Sequence, residues 1–155
     1  MADSFFPNWL YQGLVDELLP WHQGKQMSFR AFNQKYTLHD SYWIGIFYNV
    51  GYAQAVTLAI QWDACWLPQE IKANSSFVND WPYLFIRILG VEQIDTANYV
   101  EIGRICRAIA GCEFEEVEGK NFLAIDDVFG GQINIIYTGT ETFLALNGDK
   151  SCLLL

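Results

Sequence analysis

Three features of this sequence predict an α+β fold, a largely antiparallel sheet of hairpins with two N-terminal helices and one later helix packed on it. Apolar residues recur at helical spacing near the start and again over 96–110. They alternate with period two through 42–62 and from 83 onward. Glycine-containing breaks separate the later strand pairs. Hydrophobic residues make up 52% of the 155 and charged ones only 17%. That composition fills a core and is too apolar for a disordered chain. With no internal repeat and no linker, residues 1–155 read as a single domain.

The elements follow in order. Pro7 can open a helix, Leu10, Leu14, Val15 and Leu18 supply its apolar face, and Pro20 stops it. Ser28 is the expected N-cap of a second helix burying Phe29, Phe32 and Tyr36. Residues 42–62 predict a strand pair broken near Asn49, with both faces of the first strand apolar, as in a strand covered on both sides. A three-residue connection at 50–52, with Gly51 at positive φ, would pair Tyr42 with Ile60, Ile44 with Leu58 and Ile46 with Val56. A loop over 68–80 leads to a strand at 83–89. Tyr99, Ile102, Cys106 and Ile109 predict a helix over 96–110 that Gly111 ends. Residues 114–117 and 121–125 form a hairpin around Gly119-Lys120, and 133–137 and 142–146 another around Gly139-Thr140, each with glycine first in a type II′ turn. The total is about three helices and seven strands.

Composition also excludes functions. Nine Lys and Arg stand against eighteen Asp and Glu, a net charge of −9. With no basic run, nucleic-acid binding is not expected. The N-terminus lacks a positive n-region and does not read as a secretory signal. The apolar stretch 42–62 is interrupted by Asn49, Gly51, Gln54 and Gln61, so no membrane span is expected and the cytoplasm is the default location. Cys65, Cys106, Cys112 and Cys152 form no C-x-x-C pair and have two histidines for company, so free thiols and no metal are expected. Six Trp among 16% aromatics point to a core of large rings. Cys152-Leu-Leu-Leu155 formally matches a C-a-a-X box but lacks a polybasic flank. No glycine-rich phosphate loop is present, and no cofactor is expected.

Two groups of residues draw attention. Glu113, Glu115, Glu116 and Glu118, with Asp126 and Asp127 downstream, form an acidic stretch suited to an exposed edge strand or to a basic partner. The four glutamates are expected in solvent, since few cations exist to pair them. His39, Asp40 and Ser41 have the residue types of a nucleophilic triad. On a strand, however, His39 and Ser41 would face one way and Asp40 the other, which prevents a relay among them. Cys65, among Trp62, Trp66 and Leu67, is expected to be an inert thiol.

The Leu38-His39-Asp40-Ser41 run, followed by two hydrophobic strands, resembles the start of a loose set of small bacterial proteins. Some of these are immunity-like members of toxin–antitoxin neighbourhoods. The likeness covers residues 38–62 and brings no catalytic residue with it. Together with the net charge and the absence of catalytic motifs it points to a non-catalytic interaction protein, an immunity-like inhibitor. The acidic stretch itself supplies the residues expected to face a basic partner, Glu113, Glu115, Glu116, Glu118, Asp126 and Asp127. The alternative is a small enzyme or ligand-binding protein whose site gathers His39, Tyr42, Trp62 and Asp63. Oligomeric state is not legible in the sequence.

Overall fold

The first helix ends earlier than its apolar spacing predicts. The computed structural model describes residues 6–49, 55–73, 81–97 and 108–155. In it Pro7 is the extended N-cap of α1 (Asn8–Val15). Glu17 adopts a left-handed φ of 56°, and Leu18 N–H donates back to Gly13 O, a C-terminal cap that stops the helix before Pro20. Leu19 then folds onto Gly13, where a side chain would lie 2.7 Å from it. Leu19 is therefore buried, whereas Val15 and Leu18 are exposed, contrary to the expected apolar face. After a single 3-10 turn (Trp21–Gln23) and β1 (Lys25–Gln26) comes α2 (Phe29–Lys35). Here the expectation holds: the Ser28 hydroxyl accepts from Ala31 N–H, and Phe29, Phe32 and Tyr36 are buried.

The strands β2 (Tyr42–Asn49) and β3 (Ala55–Gln61) pair as a hairpin, with a different register from the expected one. Ile46, not Ile44, meets Leu58, and Tyr48 meets Val56. The connection occupies the five residues 50–54, outside the described residues together with Gly51. A bulge between Trp43 and Gly45 shifts the ladder by one, so Trp43 stands opposite Ile60. Trp43 thereby joins Val56, Leu58, Ile60 and Trp62 in the main core, and Tyr42 turns outward. A 3-10 turn (Ala64–Trp66) follows β3, and α3 (Gln69–Ala73) replaces the first part of the expected loop; residues 74–80 lie outside the described ones.

The second half of the chain is β4 (Tyr83–Ile88), β5 (Val91–Ala97), β6 (Ile109–Val117), β7 (Lys120–Asp127), β8 (Gln132–Tyr137), β9 (Glu141–Leu146) and β10 (Cys152–Leu153). The expected helix over 96–110 is strand at both ends, and its middle lies outside the described residues. Gly111 marks a bulge in β6 and not a helix terminus. The β6–β7 turn is Glu118-Gly119, both at positive φ, which corrects the expected Gly119-Lys120 turn to the type I′ pattern.

Two antiparallel sheets result, where one was expected. The larger has the order β1-β9-β4-β3-β2 with β10 also on β9; the smaller has the order β5-β8-β7-β6. The segments 133–137 and 142–146 are not a hairpin, because β8 belongs to the smaller sheet and β9 to the larger. Instead β4–β5 and β8–β9 run side by side as one bent ribbon: Ile88 pairs with Glu141, Leu89 N–H donates to Thr140 O, Thr138 N–H donates to Gly90 O, and Val91 pairs with Tyr137. The bend brings Gly139 so close to Leu89 that a Cβ would sit 2.2 Å from the Leu89 carbonyl oxygen. Only glycine permits that approach.

The main core combines both sheets with α2: Phe29, Phe32, Leu58, Ile86 and Phe143 meet Leu123, Ile125, Ile133 and Ile135. A second cluster lies on the opposite face of the larger sheet, where α1 and Leu19 cover Ala59, Tyr83, Phe85 and Leu144. The central strands of the larger sheet are thus covered on both faces, whereas β2, the strand expected to be so covered, is the sheet's edge and leaves Tyr42 and Tyr48 exposed. No helix among the described residues is long and apolar enough to cross a membrane.

Candidate functional site

Strand alternation sorts the smaller sheet into an inward and an outward side. Cys112, Phe114, Leu123, Ile125, Ile133 and Ile135 pack toward the core. The residues between them look out, and cross-strand pairing arranges them in rows. Glu115, Phe122, Ile136 and Gln93 form one row; Glu113, Ala124, Asn134 and Asp95 the next; Gly111, Asp126 and Gln132 the third. Small Ala124 stands among larger neighbours, and a depression of about 650 Å3 opens there, lined by Glu113, Glu115, Phe122, Ala124, Asn134 and Ile136. Phe122 is 37% exposed, a large ring kept at the surface.

The electrostatics of this face are one-sided. Among the described residues its only cation is Lys120, whose Nζ lies 3.0 Å from Glu92. Asp126 accepts from Gln132 Nε2 at 2.6 Å, and Asn134 Nδ2 donates to Gln132 Oε1 at 3.0 Å. Gln93 Nε2 donates to Asp95. Glu113 and Glu115 have no hydrogen bond or ion pair within the described residues and stand in solvent. The face therefore offers an apolar floor between uncompensated carboxylates, a surface complementary to a cationic partner with an apolar stem.

The acidic stretch does not act as one patch. Glu113, Glu115 and Asp126 share the outward face with Asp95. Glu116 lies opposite Asn121 and faces the interior side near Glu141; Glu118 sits in the turn at φ 52°. All four glutamates are exposed, as expected. Asp127 is buried, and its Oδ1 accepts from Phe129 N–H at 2.8 Å and Gly131 N–H at 3.0 Å. It holds the β7–β8 turn, because adjacent residues of a strand point to opposite faces.

The second group is spread over structural tasks. Trp62 is fully buried, and its Nε1–H donates to Thr37 O at 2.8 Å. Asp63 is buried and caps the following 3-10 turn through Cys65 N–H, while its own N–H donates to the Ser41 hydroxyl at 2.9 Å. Tyr42 stacks on Trp81 at 5.4 Å. The His39 ring lies at the surface, 2.8 Å from Ala110 O through Nδ1, 3.5 Å from Asp40 through Nε2, and tilted against Trp66. Ser41 thus anchors the strand's start to the end of β3 and is not presented to a substrate. Cys65 is exposed, which corrects the apolar setting expected for it, and hydrogen bonding and charge from Asp63 push its thiol pKa up. Cys112 and Cys152 are free thiols as well; Cys106 lies outside the described residues. The Cys152 segment pairs with β9.

Comparison with protein-family models, curated proteins and solved structures finds no match to this chain.

Sequence reasoning missed β5, and with it Gln93 and Asp95. It also missed the apolar floor, Phe122, Ala124 and Ile136. The signal was the alternation Glu113/Glu115, Phe122/Ala124/Asp126 and Gln132/Asn134/Ile136, which puts each set on one face. Which strands lie side by side cannot be read from alternation alone.

Proposed function

We propose that this protein is a non-catalytic interaction module of the cytoplasm whose outward sheet face binds a basic protein. The observation that carries the reading is the depression around Ala124, walled by the uncompensated Glu113 and Glu115. An overall charge of −9 adds long-range attraction for such a partner and speeds encounter. The resemblance over 38–62 gives the proposal its specific form, an immunity-like inhibitor of a basic bacterial toxin. Glu116, Glu118 and Asp127 have no contact role in it. A ligand site made of His39, Tyr42, Trp62 and Asp63 has less support, since Trp62 is buried and the Asp63 carboxylate is spent on a cap.

The test is binding of a short peptide alternating arginine and serine, followed by fluorescence anisotropy at low and physiological salt. The wild type is expected to bind, more weakly at the higher salt. Replacing Glu113→Gln and Glu115→Gln together should weaken binding about tenfold, equivalent to about 1.4 kcal/mol. Equal binding by the double variant, or no binding by either protein, rejects this face as the interface.

A further inference from the structure

We propose that the depression over Ala124 seats one arginine side chain of the partner; the inference rests on the reading of this face as the binding surface. Among the acidic groups here, the hydrogen bonds single out two. Asp126 is held by Gln132, Asp95 by Gln93, and Glu92 by Lys120. Glu113 and Glu115 alone of this set carry no bond from the described residues, and both line the depression. They lie two residues apart on one strand, so their Cα atoms are about 7 Å apart on the same side.

That spacing suits a planar fork of donors better than a point charge. A guanidinium has five N–H groups in a fixed plane and can bond one carboxylate at each edge. A lysine ammonium has three donors on one atom, so it bonds two separated carboxylates with a poorer geometric match than the wide planar fork. The floor favours the same guest. Phe122 stands beside Ala124 on β7, opposite Glu115, and its half-exposed ring offers a face on which a guanidinium stacks. The three methylenes of the stem would cover Ala124 and Ile136, and Asn134 keeps its carbonyl oxygen as an acceptor, because its amide nitrogen is the group bonded to Gln132. At about 650 Å3 the depression has room for the side chain and the backbone that carries it.

The probe is N-acetyl-arginine methylamide, with the lysine and citrulline analogues as comparators, titrated into labelled protein while amide shifts are followed. The arginine compound should shift residues 113–115, 122–124 and 134–136 and bind about fivefold more tightly than the lysine compound. The neutral citrulline compound should not saturate. Ala124→Leu fills the depression without touching a charge and should weaken arginine binding about tenfold. Ala124→Val, a β-branched residue suited to a strand, serves the same end if the larger side chain disturbs the fold. Equal response to arginine and lysine, retained in Ala124→Leu, would show diffuse attraction. It overturns the seat but leaves the acidic face as the interface, which the arginine–serine peptide and the glutamine variants test separately. No shift on this face with N-acetyl-arginine methylamide also overturns the seat.

Discussion

Among the described residues Glu141 is the one buried glutamate, and none of them sets a cation beside it. Its carboxylate accepts from the Tyr137 hydroxyl and the Phe29 backbone N–H, at the start of α2. Burial outweighs these bonds and raises its pKa above the ordinary 4.5, with Glu116 adding to the rise. Tyr137 is pushed up by burial and by Glu141, so it stays protonated and remains the donor. A folded pKa above the unfolded one gives stability that is fully present below the unfolded value and is lost as pH rises through the folded value. Urea midpoints of the wild type should therefore fall as pH rises from about 4 toward neutrality by more than those of Glu141→Gln. Parallel pH profiles for the two proteins would show that Glu141 does not carry this dependence. At the bend of the ribbon, Gly139→Ala places a methyl group against the Leu89 backbone, and Gly90→Ala adds a left-handed φ of 68° to a 2.7 Å approach to Gly139 N. Each should cost about 2 kcal/mol or more in chemical denaturation. A cost near zero at both would mean that the ribbon does not bend there.

At the scale of elements, α2 illustrates how a short helix holds. Seven residues are too few for an isolated helix, so its stability comes from packing and from its cap. Phe32 stacks on Phe143 with ring centroids 4.4 Å apart and on Trp62 at 5.7 Å. Phe32→Ala should destabilise the protein by about 3–5 kcal/mol, because it removes ring contacts to the larger sheet at the centre of the core. Ser28→Ala removes only the cap bond and should cost about 1 kcal/mol. Thermal or urea unfolding of both variants checks the order; a larger cost for the cap would contradict it. This helix was fully legible, since its cap and its apolar residues are local. The register of β2 with β3 was not. The Trp43–Gly45 bulge shifts it by one residue, and that shift puts Trp43 in the core with Leu58 and Ile60, contacts between strands that local spacing does not specify.

Across the whole molecule, coverage differs between the sheets. Strands β3, β4 and β9 are enclosed by the inter-sheet core on one side and by α1 on the other, whereas among the described residues the smaller sheet keeps one face open. Amide exchange should be slowest in β3, β4 and β9 and fastest at the edge strands β5 and β6. Uniform protection of both sheets would mean that the open face is closed in solution. The sequence by itself determined the α+β class, the capped second helix and the exposure of the four glutamates. These follow from local spacing, from caps and from the cost of burying unpaired charge. Tertiary structure decided the division into two sheets, because glycines at positions 90 and 139 fit a hairpin turn as well as a ribbon bend until the neighbouring backbone is known. It also decided which acids share a face. Asp126 joins Glu113 and Glu115, while Asp127 turns inward to hold a turn, because side-chain direction follows from pleat and strand pairing, and pairing is set by contacts distant in sequence.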